Sequence, residues 1–179
     1  MRAYHFIGGT LRDGRPVPAN GKWLVHTGPV AICETGLHAS LHPFDAMQYA
    51  PGPVLCLVEC EDIVGLHADK FVCRRRKIIK RHDMTEYLRY FARHCALSVV
   101  HLWDAPDVVL DYLMTGDESL RAAAGAAAGA AAWTAAGDAA WAAARDAAVA
   151  AAGAAAGAAA GAAHKSEFQR LVDEAMEEA

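Results

Sequence analysis

The densest set of chemically active side chains in the sequence is a basic run near the middle of the chain. Arg74–Arg81 holds six cations in eight positions. Such a run is typical of surfaces that bind nucleic acid or phosphate. In a β-strand, however, only alternate residues share a face, so that Arg75 would lie beside Lys77 and Arg74 beside Arg76. We therefore interpret the run first as a charged, solvated strand edge, with nucleic-acid binding as the alternative.

Histidine, glutamate and cysteine residues offer two other kinds of chemistry. Glu34, His38 and His42 are spaced by four residues, as metal ligands on one face of a helix would be. Because Thr35 and Gly36 oppose a helix there, we expect no metal site. The five cysteines form no CxxC pair. Their odd number predicts reduced, mostly buried thiols in a cytoplasmic protein, without a disulfide framework or a zinc ribbon.

Length, charge and composition restrict the classes of protein that remain. The chain has 179 residues, a formal net charge of −4 and 54% apolar residues. The acidic balance argues against attraction of the whole molecule to nucleic acid or to an anionic membrane. The first residues contain no long apolar stretch, so we expect no cleaved signal peptide.

The elements that must position these residues are predicted from apolar patterning. Residues 1–82 read as strand-rich, with a loop over Leu11–Gly21. The predicted elements are a strand at Tyr4–Ile7, a hairpin of Lys22–His26 with Pro29–Cys33, a short helix at Pro43–Tyr49, a buried central strand at Val54–Val58 and a strand within Lys70–Lys80.

The residues that follow this region read as helical. Asp83 and Glu86 form a capping-box pattern before an apolar helical face. A second helix is predicted after Pro106, with Gly116 as the residue that ends it. The predicted fold class is therefore α+β, a small mixed sheet followed by helices. We predict a head domain at 1–116 and an alanine-rich helical module with an acidic amphipathic tail at 117–179.

The alanine tract has a regular period of four residues. Between Ala122 and Ala163, 29 of 42 residues are alanine. The residues on the period are Gly125, Gly129, Trp133, Gly137, Trp141, Arg145, Val149, Gly153, Gly157 and Gly161. Small residues along such rows let two helices approach closely. We predict that its glycines and tryptophans form a homo-oligomer interface, with codon drift as the alternative origin of the repeat.

The form of the tract leaves two questions open. Gly137 followed by Asp138 reads as a helix end and a new N-cap, so the tract is either one helix or a helical hairpin. Ala147–Ala163 is 17 uncharged residues, at the lower edge of a spanning length. Alanine is weakly apolar and the stretch has no aromatic belt, so we expect no membrane span.

Three segments in order resemble the poly- and mono-ADP-ribosyltransferase fold. They are Gly36-Leu37-His38-Ala39-Ser40, Asp45-Ala46-Met47-Gln48-Tyr49 and Leu55-Cys56-Leu57-Val58-Glu59. In that family the glycine strand and the tyrosine bracket nicotinamide. The resemblance implies a ligand site at His5, His38 and Tyr49, with NAD or ADP-ribose as the ligand. We predict no strand after residue 82 that could carry the catalytic glutamate of that family.

A broader set of segments is similar to an uncharacterised family of bacteriophage and bacterial proteins. The segments are Tyr4-His5-Phe6, Gly36–Ser40, Arg74–Ile78, Ser98–Val109 and Thr115–Ser119, followed by an alanine-rich tail. This resemblance implies a phage or bacterial origin and brings no activity.

These observations support two functions of different classes. The first is a non-enzymatic binding and self-assembly protein without a cofactor, which oligomerises through close-packed Ala/Gly helices. The alternative is an ADP-ribosyl-binding or ADP-ribosyltransferase-like enzyme with a nucleotide cleft in the N-terminal domain. No catalytic residue is identified, and enzymatic activity stays open.

Overall fold

The computed structural model describes the backbone of residues 1–142 and 149–179, and the side-chain surroundings of residues 1–131 and 161–179. The strands are β1 (Arg2–Ile7), β2 (Trp23–Val25), β3 (Leu37–Ala39), β4 (Val54–Leu66) and β5 (Phe71–Asp83). The helices are α1 (Pro43–Met47), α2 (Thr85–Ser98), α3 (Asp107–Thr115), α4 (Arg121–Ala142) and α5 (Val149–Glu178). An antiparallel sheet followed by helices confirms the predicted α+β class.

The chain forms two compact units that differ from the predicted division at residue 116. One unit joins Met1–Leu88 to Lys165–Ala179, and the other consists of Arg89–His164. The C-terminal end of α5 therefore packs with the sheet. The boundary at residue 116 stays a prediction about domain organisation.

The sheet of the first unit closes on itself at one end. Strands β1, β4 and β5 pair antiparallel in that order, and β3 and β2 both pair with the other edge of β5. Ser40 follows β3 and exchanges two backbone hydrogen bonds with Tyr4 of β1, at 2.8 and 3.0 Å. This link joins β3 to β1, so β1, β4, β5 and β3 form a small barrel. Closure satisfies backbone groups that an open edge would expose.

Small and medium apolar side chains fill the interior of this barrel. The register places Ala3 opposite Val58, His5 opposite Cys56 and Ile7 opposite Val54. The buried residues of the barrel interior are Ala3, Ile7, Ala39, Cys56, Val58, Cys60, Phe71, Cys73 and Ile78. Three of them are cysteines, which here serve as small apolar side chains.

The outer face of the sheet is covered by α1 and by the end of α5. Phe168 of α5 is fully buried and meets the ring of Phe44 edge to face, with 6.1 Å between the centroids. Lys165 forms a 2.8 Å ion pair with Asp45 of α1. The apolar face of this helix also includes Leu171, Val172 and Ala175, which are buried. The amphipathic tail predicted from spacing thus belongs to the core of the first unit.

The second unit contains the last residues of α2, then α3, α4 and the start of α5. Helix α3 ends at Gly116, as predicted, and Gly116 adopts a left-handed conformation with φ of 70°. Its amide donates to the Tyr112 carbonyl at 2.8 Å, which satisfies a carbonyl at the helix end. A Cβ at this position would lie 2.6 Å from the guanidinium of Arg93.

Two sequence predictions about local structure have different outcomes in the structure. The predicted hairpin around Thr27 is wrong, because β2 pairs with β5 and Pro29–Cys33 forms no strand. Helix α4 runs without a break through Gly137 and Asp138, so no hairpin turn lies at that pair. Residues 143–148 lie outside the described residues, and they leave the choice between one helix and a hairpin open.

Several residues of the predicted interface lie outside the part whose surroundings are described. They are Trp133, Gly137, Trp141, Gly153 and Gly157. Within the described residues, none of the helices combines the length and apolar character needed to cross a membrane.

We expect Phe168→Ala to destabilise the first unit strongly, because it empties a closed site against the sheet. The free energy of unfolding should fall by about 3–5 kcal/mol, measured by urea denaturation followed by circular dichroism. Glu177→Ala, at an exposed position of the same helix, should change it by about 0.5 kcal/mol or less. Equal effects of the two variants would contradict the packing of α5 on the sheet.

Candidate functional site

A buried arginine lies at the centre of the most unusual group of side chains. Arg76 of β5 is only 7% exposed, although it belongs to the basic run. Its register partner is Cys60 of β4, so its side chain starts on the face that lines the barrel. One guanidinium nitrogen, Nη1, donates to the backbone carbonyl of His38. Within the described part of the chain, no carboxylate forms an ion pair with this guanidinium.

Two of the three residues predicted for the ligand site, His5 and His38, lie around Arg76. Burial first, then the charges of Arg76 and His38, hold the pKa of His5 well below 6.5. Burial also lowers the pKa of His38, followed by the charges of Lys70 and Arg76. Both imidazoles are therefore neutral at neutral pH and can each donate one hydrogen bond. His38 Nε2 accepts from the backbone N–H of Cys33 at 3.0 Å, so the nitrogen that carries the proton is Nδ1.

Tyr49, the third predicted residue, lies apart from His5 and His38. Lys70 lies beside the Tyr49 ring, and its charge also acts on His38. The Lys70 ammonium lies 3.9 Å from the centroid of the Tyr49 ring. The Tyr49 hydroxyl donates to Asp69, and His67 Nδ1 lies 2.7 Å from the other oxygen of that carboxylate. These two contacts lower the pKa of Asp69 to about 2. Tyr49 is 48% exposed, so one aromatic surface remains open to solvent.

The conformation of Gly36 permits β3 to approach the sheet at this site. Gly36 has φ of 105°, a region that side chains rarely allow. A Cβ there would lie 2.6 Å from a methyl group of Val72. Any larger residue would therefore move β3, and with it the His38 carbonyl that accepts from Arg76.

The other cations of the basic run are engaged within the chain. Arg75 and Lys77 lie over the ring of Trp23, at 4.5 and 4.6 Å from its centroid, and pair with Glu61 and Glu59. The other donors reach backbone or amide oxygens: Arg74 to Gly28, Lys80 to Met176, and Arg81 to Asn20 and Pro18. This arrangement supports a structural role of the run and offers no free cationic stripe for nucleic acid among the described residues.

The predicted triad of possible metal ligands does not converge. His42 caps α1, because its Nδ1 accepts from the amide of Phe44 at 3.2 Å. His38 is used as described above, and Glu34 is exposed. Among the described residues, no group of three or more histidine, cysteine or acidic side chains could hold a metal ion.

Sequence reasoning missed Arg76 as an individual residue. The alternation within the basic run separated Arg74 and Arg76 from Arg75 and Lys77, and the structure confirms that Arg75 and Lys77 share a face. The alternation alone could not show which face of the strand is buried, because β5 carries polar residues on both faces along this stretch. Lys70 carried no signal of its own in the sequence.

Comparison with known proteins identifies a family without an assigned activity. A family model described as a domain of unknown function, DUF7666, matches residues 1–90. No curated protein and no solved structure matches the chain. The matched residues include the whole sheet and each of the site residues His5, His38, Tyr49, Lys70 and Arg76.

We expect the stability of the first unit to fall as the pH drops below about 6.5. His5 binds protons less readily in the folded chain than in the unfolded chain, whose ordinary value is 6.5. The free energy of unfolding therefore decreases through the window below 6.5, down to the lowered pKa. Urea denaturation between pH 5 and pH 8 should show a weaker dependence for His5→Gln. His101→Gln, at an exposed position, should leave the profile unchanged. An unaltered profile in His5→Gln would refute this assignment.

Proposed function

The chain belongs to the family described as a domain of unknown function, DUF7666, and we propose that its sheet-rich unit binds a phosphate-bearing small molecule of the nucleotide class. The observation that carries this proposal is the buried guanidinium of Arg76 without a carboxylate partner. Removing a cation from water is unfavourable unless an anion or a full set of acceptors compensates it. In the described chain, the acceptor found for Arg76 is one carbonyl oxygen.

The surroundings of Arg76 favour an anion over a neutral ligand. The charges that act on His38 are those of Lys70, Arg76 and Arg12, all cationic. No acidic group contributes to the lowered pKa of His5. A phosphate would accept two parallel hydrogen bonds from the guanidinium fork, a geometry that a lysine cannot match.

The approach to this guanidinium would lie on the side of His5. His5 lies on the interior face of β1, opposite Cys56, and is partly exposed, whereas the thiols of Cys56, Cys60 and Cys73 are buried. A phosphate entering there would accept from Arg76 and from the N–H of the His5 imidazole. Because an anion favours the charged form of histidine, binding should raise the pKa of His5.

The exposed ring of Tyr49 supports a ligand that also carries a flat base. An aromatic surface next to a cation suits the stacking of a base joined to a phosphate. The resemblance of Gly36–Tyr49 to the ADP-ribosyltransferase fold adds support for a nicotinamide- or adenine-bearing nucleotide. NAD and ADP-ribose are therefore the first ligands to test, and a phage or bacterial setting remains the expected one.

We expect NAD, ADP-ribose or orthophosphate to raise the melting temperature of the chain. A ligand at 100 times its Kd would stabilise the fold by about 2.7 kcal/mol. Arg76→Lys keeps the charge and removes the fork, and it should weaken binding at least tenfold in calorimetric titrations. The matched control Arg75→Lys changes an arginine that already pairs with Glu61, and it should bind like the wild type.

Two outcomes would overturn the proposed ligand site. One is the absence of any thermal shift with all three ligands at millimolar concentration. The other is an equal loss of affinity in Arg76→Lys and Arg75→Lys, because it would mean that the charge of the strand, and not the buried fork, determines binding.

A second function, self-assembly through the alanine tract, is supported by the open surface of α4. Added Cβ atoms at Gly125 and Gly129 would meet no other atom within 4 Å, and most residues of 121–131 are partly or fully exposed. Each helical glycine costs about 1 kcal/mol relative to alanine. Close contact with the helix of another copy would offset that cost. We therefore propose that the chain forms homo-oligomers through its period-four stripe.

We expect Gly129→Leu to reduce association more than Gly129→Ala. Alanine improves helix propensity and adds one methyl group, whereas leucine would hold two helices apart. Sedimentation velocity of the full chain measures the difference directly. Identical sedimentation of the two variants would favour codon drift as the origin of the glycine period.

A further inference from the structure

The chain passes from β3 to α1 through residues 38–44, which close the barrel and which we call the closing segment. Ser40, near its middle, is buried and exchanges two backbone hydrogen bonds with Tyr4 of β1. The pairing of β3 with β5 holds one end of the segment, and the start of α1 forms the other. A change that loosens this segment therefore opens the barrel between β3 and β1.

A histidine on each side of Ser40 accepts a hydrogen bond from a backbone amide. His38 Nε2 accepts from the N–H of Cys33 at 3.0 Å, which ties the preceding loop to β3. His42 Nδ1 accepts from the N–H of Phe44 at 3.2 Å and thereby caps α1. Because a backbone amide can only donate, each accepting nitrogen carries no proton. Both contacts therefore require the neutral form of the imidazole.

Protonation turns both acceptors into donors. In an imidazolium ring each nitrogen bears a hydrogen atom. Two N–H groups would then face each other at His38, and two more at His42, so neither contact would survive. Acid would thus remove the loop contact of β3 and the cap of α1 together.

The groups that act on His38 are cations and a second imidazole. They are Lys70, Arg76, Arg12 and His5. Burial contributes most to a pKa of His38 below its ordinary value of 6.5, and the cations follow, whereas a backbone contact with Gly36 acts in the opposite direction. A protonated His38 would lie among like charges, which opposes the position of β3 in the closed barrel.

The groups that act on His42 are the two members of an ion pair. Burial is the main cause that lowers the pKa of His42, while Asp45 of α1 raises it and Lys165 of α5 lowers it. Asp45 and Lys165 pair with each other at 2.8 Å. Both histidines therefore bind protons more weakly in the closed segment than in an unfolded chain. Opening takes up protons, so it is favoured as the pH falls below 6.5.

We propose that the closing segment is a pH-sensitive latch, which holds the barrel shut while His38 and His42 are neutral and releases β3 from β1 when they are protonated. The release opens the barrel beside the Arg76 guanidinium, which donates to the His38 carbonyl. The latch follows from the backbone contacts of the two imidazoles and is independent of any ligand bound at Arg76.

Amide hydrogen exchange of the full chain, followed residue by residue by NMR, tests the latch. After correction for the intrinsic pH dependence of exchange, protection of the Ser40 and Phe44 amides should fall at least tenfold between pH 7.5 and pH 5. At pH 5, release of one imidazole with an ordinary pKa of 6.5 can supply up to about thirtyfold. The Gly21 amide, which donates to Ile78 at the β2 end of the sheet, should change little.

A double variant and a matched control make the test specific. His38→Gln/His42→Asn keeps an acceptor oxygen at both positions and does not titrate in this range. Its Ser40 protection should be the same at the two pH values. His26 Nε2 donates to the Pro29 carbonyl at 2.9 Å, and protonation keeps that bond. His26→Gln should therefore retain the pH dependence of the wild type.

Three results would overturn the latch. The first is wild-type protection at Ser40 that does not fall in acid, or that falls equally at Gly21. The second is a folded double variant with the pH dependence of the wild type. The third needs no variant to fold: nitrogen-15 spectra of the wild-type imidazole rings at pH 7.5 that show a proton on His38 Nε2 or on His42 Nδ1.

Discussion

The closure of the barrel is supported by a hydrogen bond between a buried cation and a backbone carbonyl, beside the ladder pairing of β3 with β5. Arg76 on β5 donates to His38 on β3, and β3 reaches β1 only through the bridge of Ser40 to Tyr4. The contact therefore adds to the pairing of β3 with β5 in holding the short strand that closes the barrel. Because no carboxylate shares the site among the described residues, the arrangement keeps a positive charge in a largely apolar interior. We infer that this uncompensated charge is what the unit uses to bind an anion.

Two parts of the chain that are far apart in sequence complete the barrel interior and the outer face of the sheet. The interior uses residues of the first 78 positions, whereas the outer face needs Phe168 and its neighbours at the C-terminus. The alanine tract lies between these two parts in sequence. Helix α5 begins within the tract at Val149, and its C-terminal end covers the sheet.

The elements that could be predicted are those with strong local signals. The apolar run Val54–Val58 identifies the start of the central strand β4. Pro43 marks the start of α1, and Gly116 marks the end of α3. Pairings between distant residues could not be predicted, which is why β2 was assigned to a hairpin and not to β5. Of the candidate site, His5 and His38 were found through a resemblance. The burial of Arg76 was not, because hydrophobic patterning contains no signal for a charged side chain that faces inward.

The most direct test of the central claim observes the Arg76 guanidinium itself while an anion is added. In nitrogen-15 NMR spectra, the Nε–H resonance of Arg76 can be assigned by its loss in Arg76→Lys. A titration with orthophosphate should shift this resonance with a saturable dependence, and the resonances of exposed arginines such as Arg15 should move little. A shift that is absent, or that is equally small and linear for all arginines, would show that the buried charge is not an anion site.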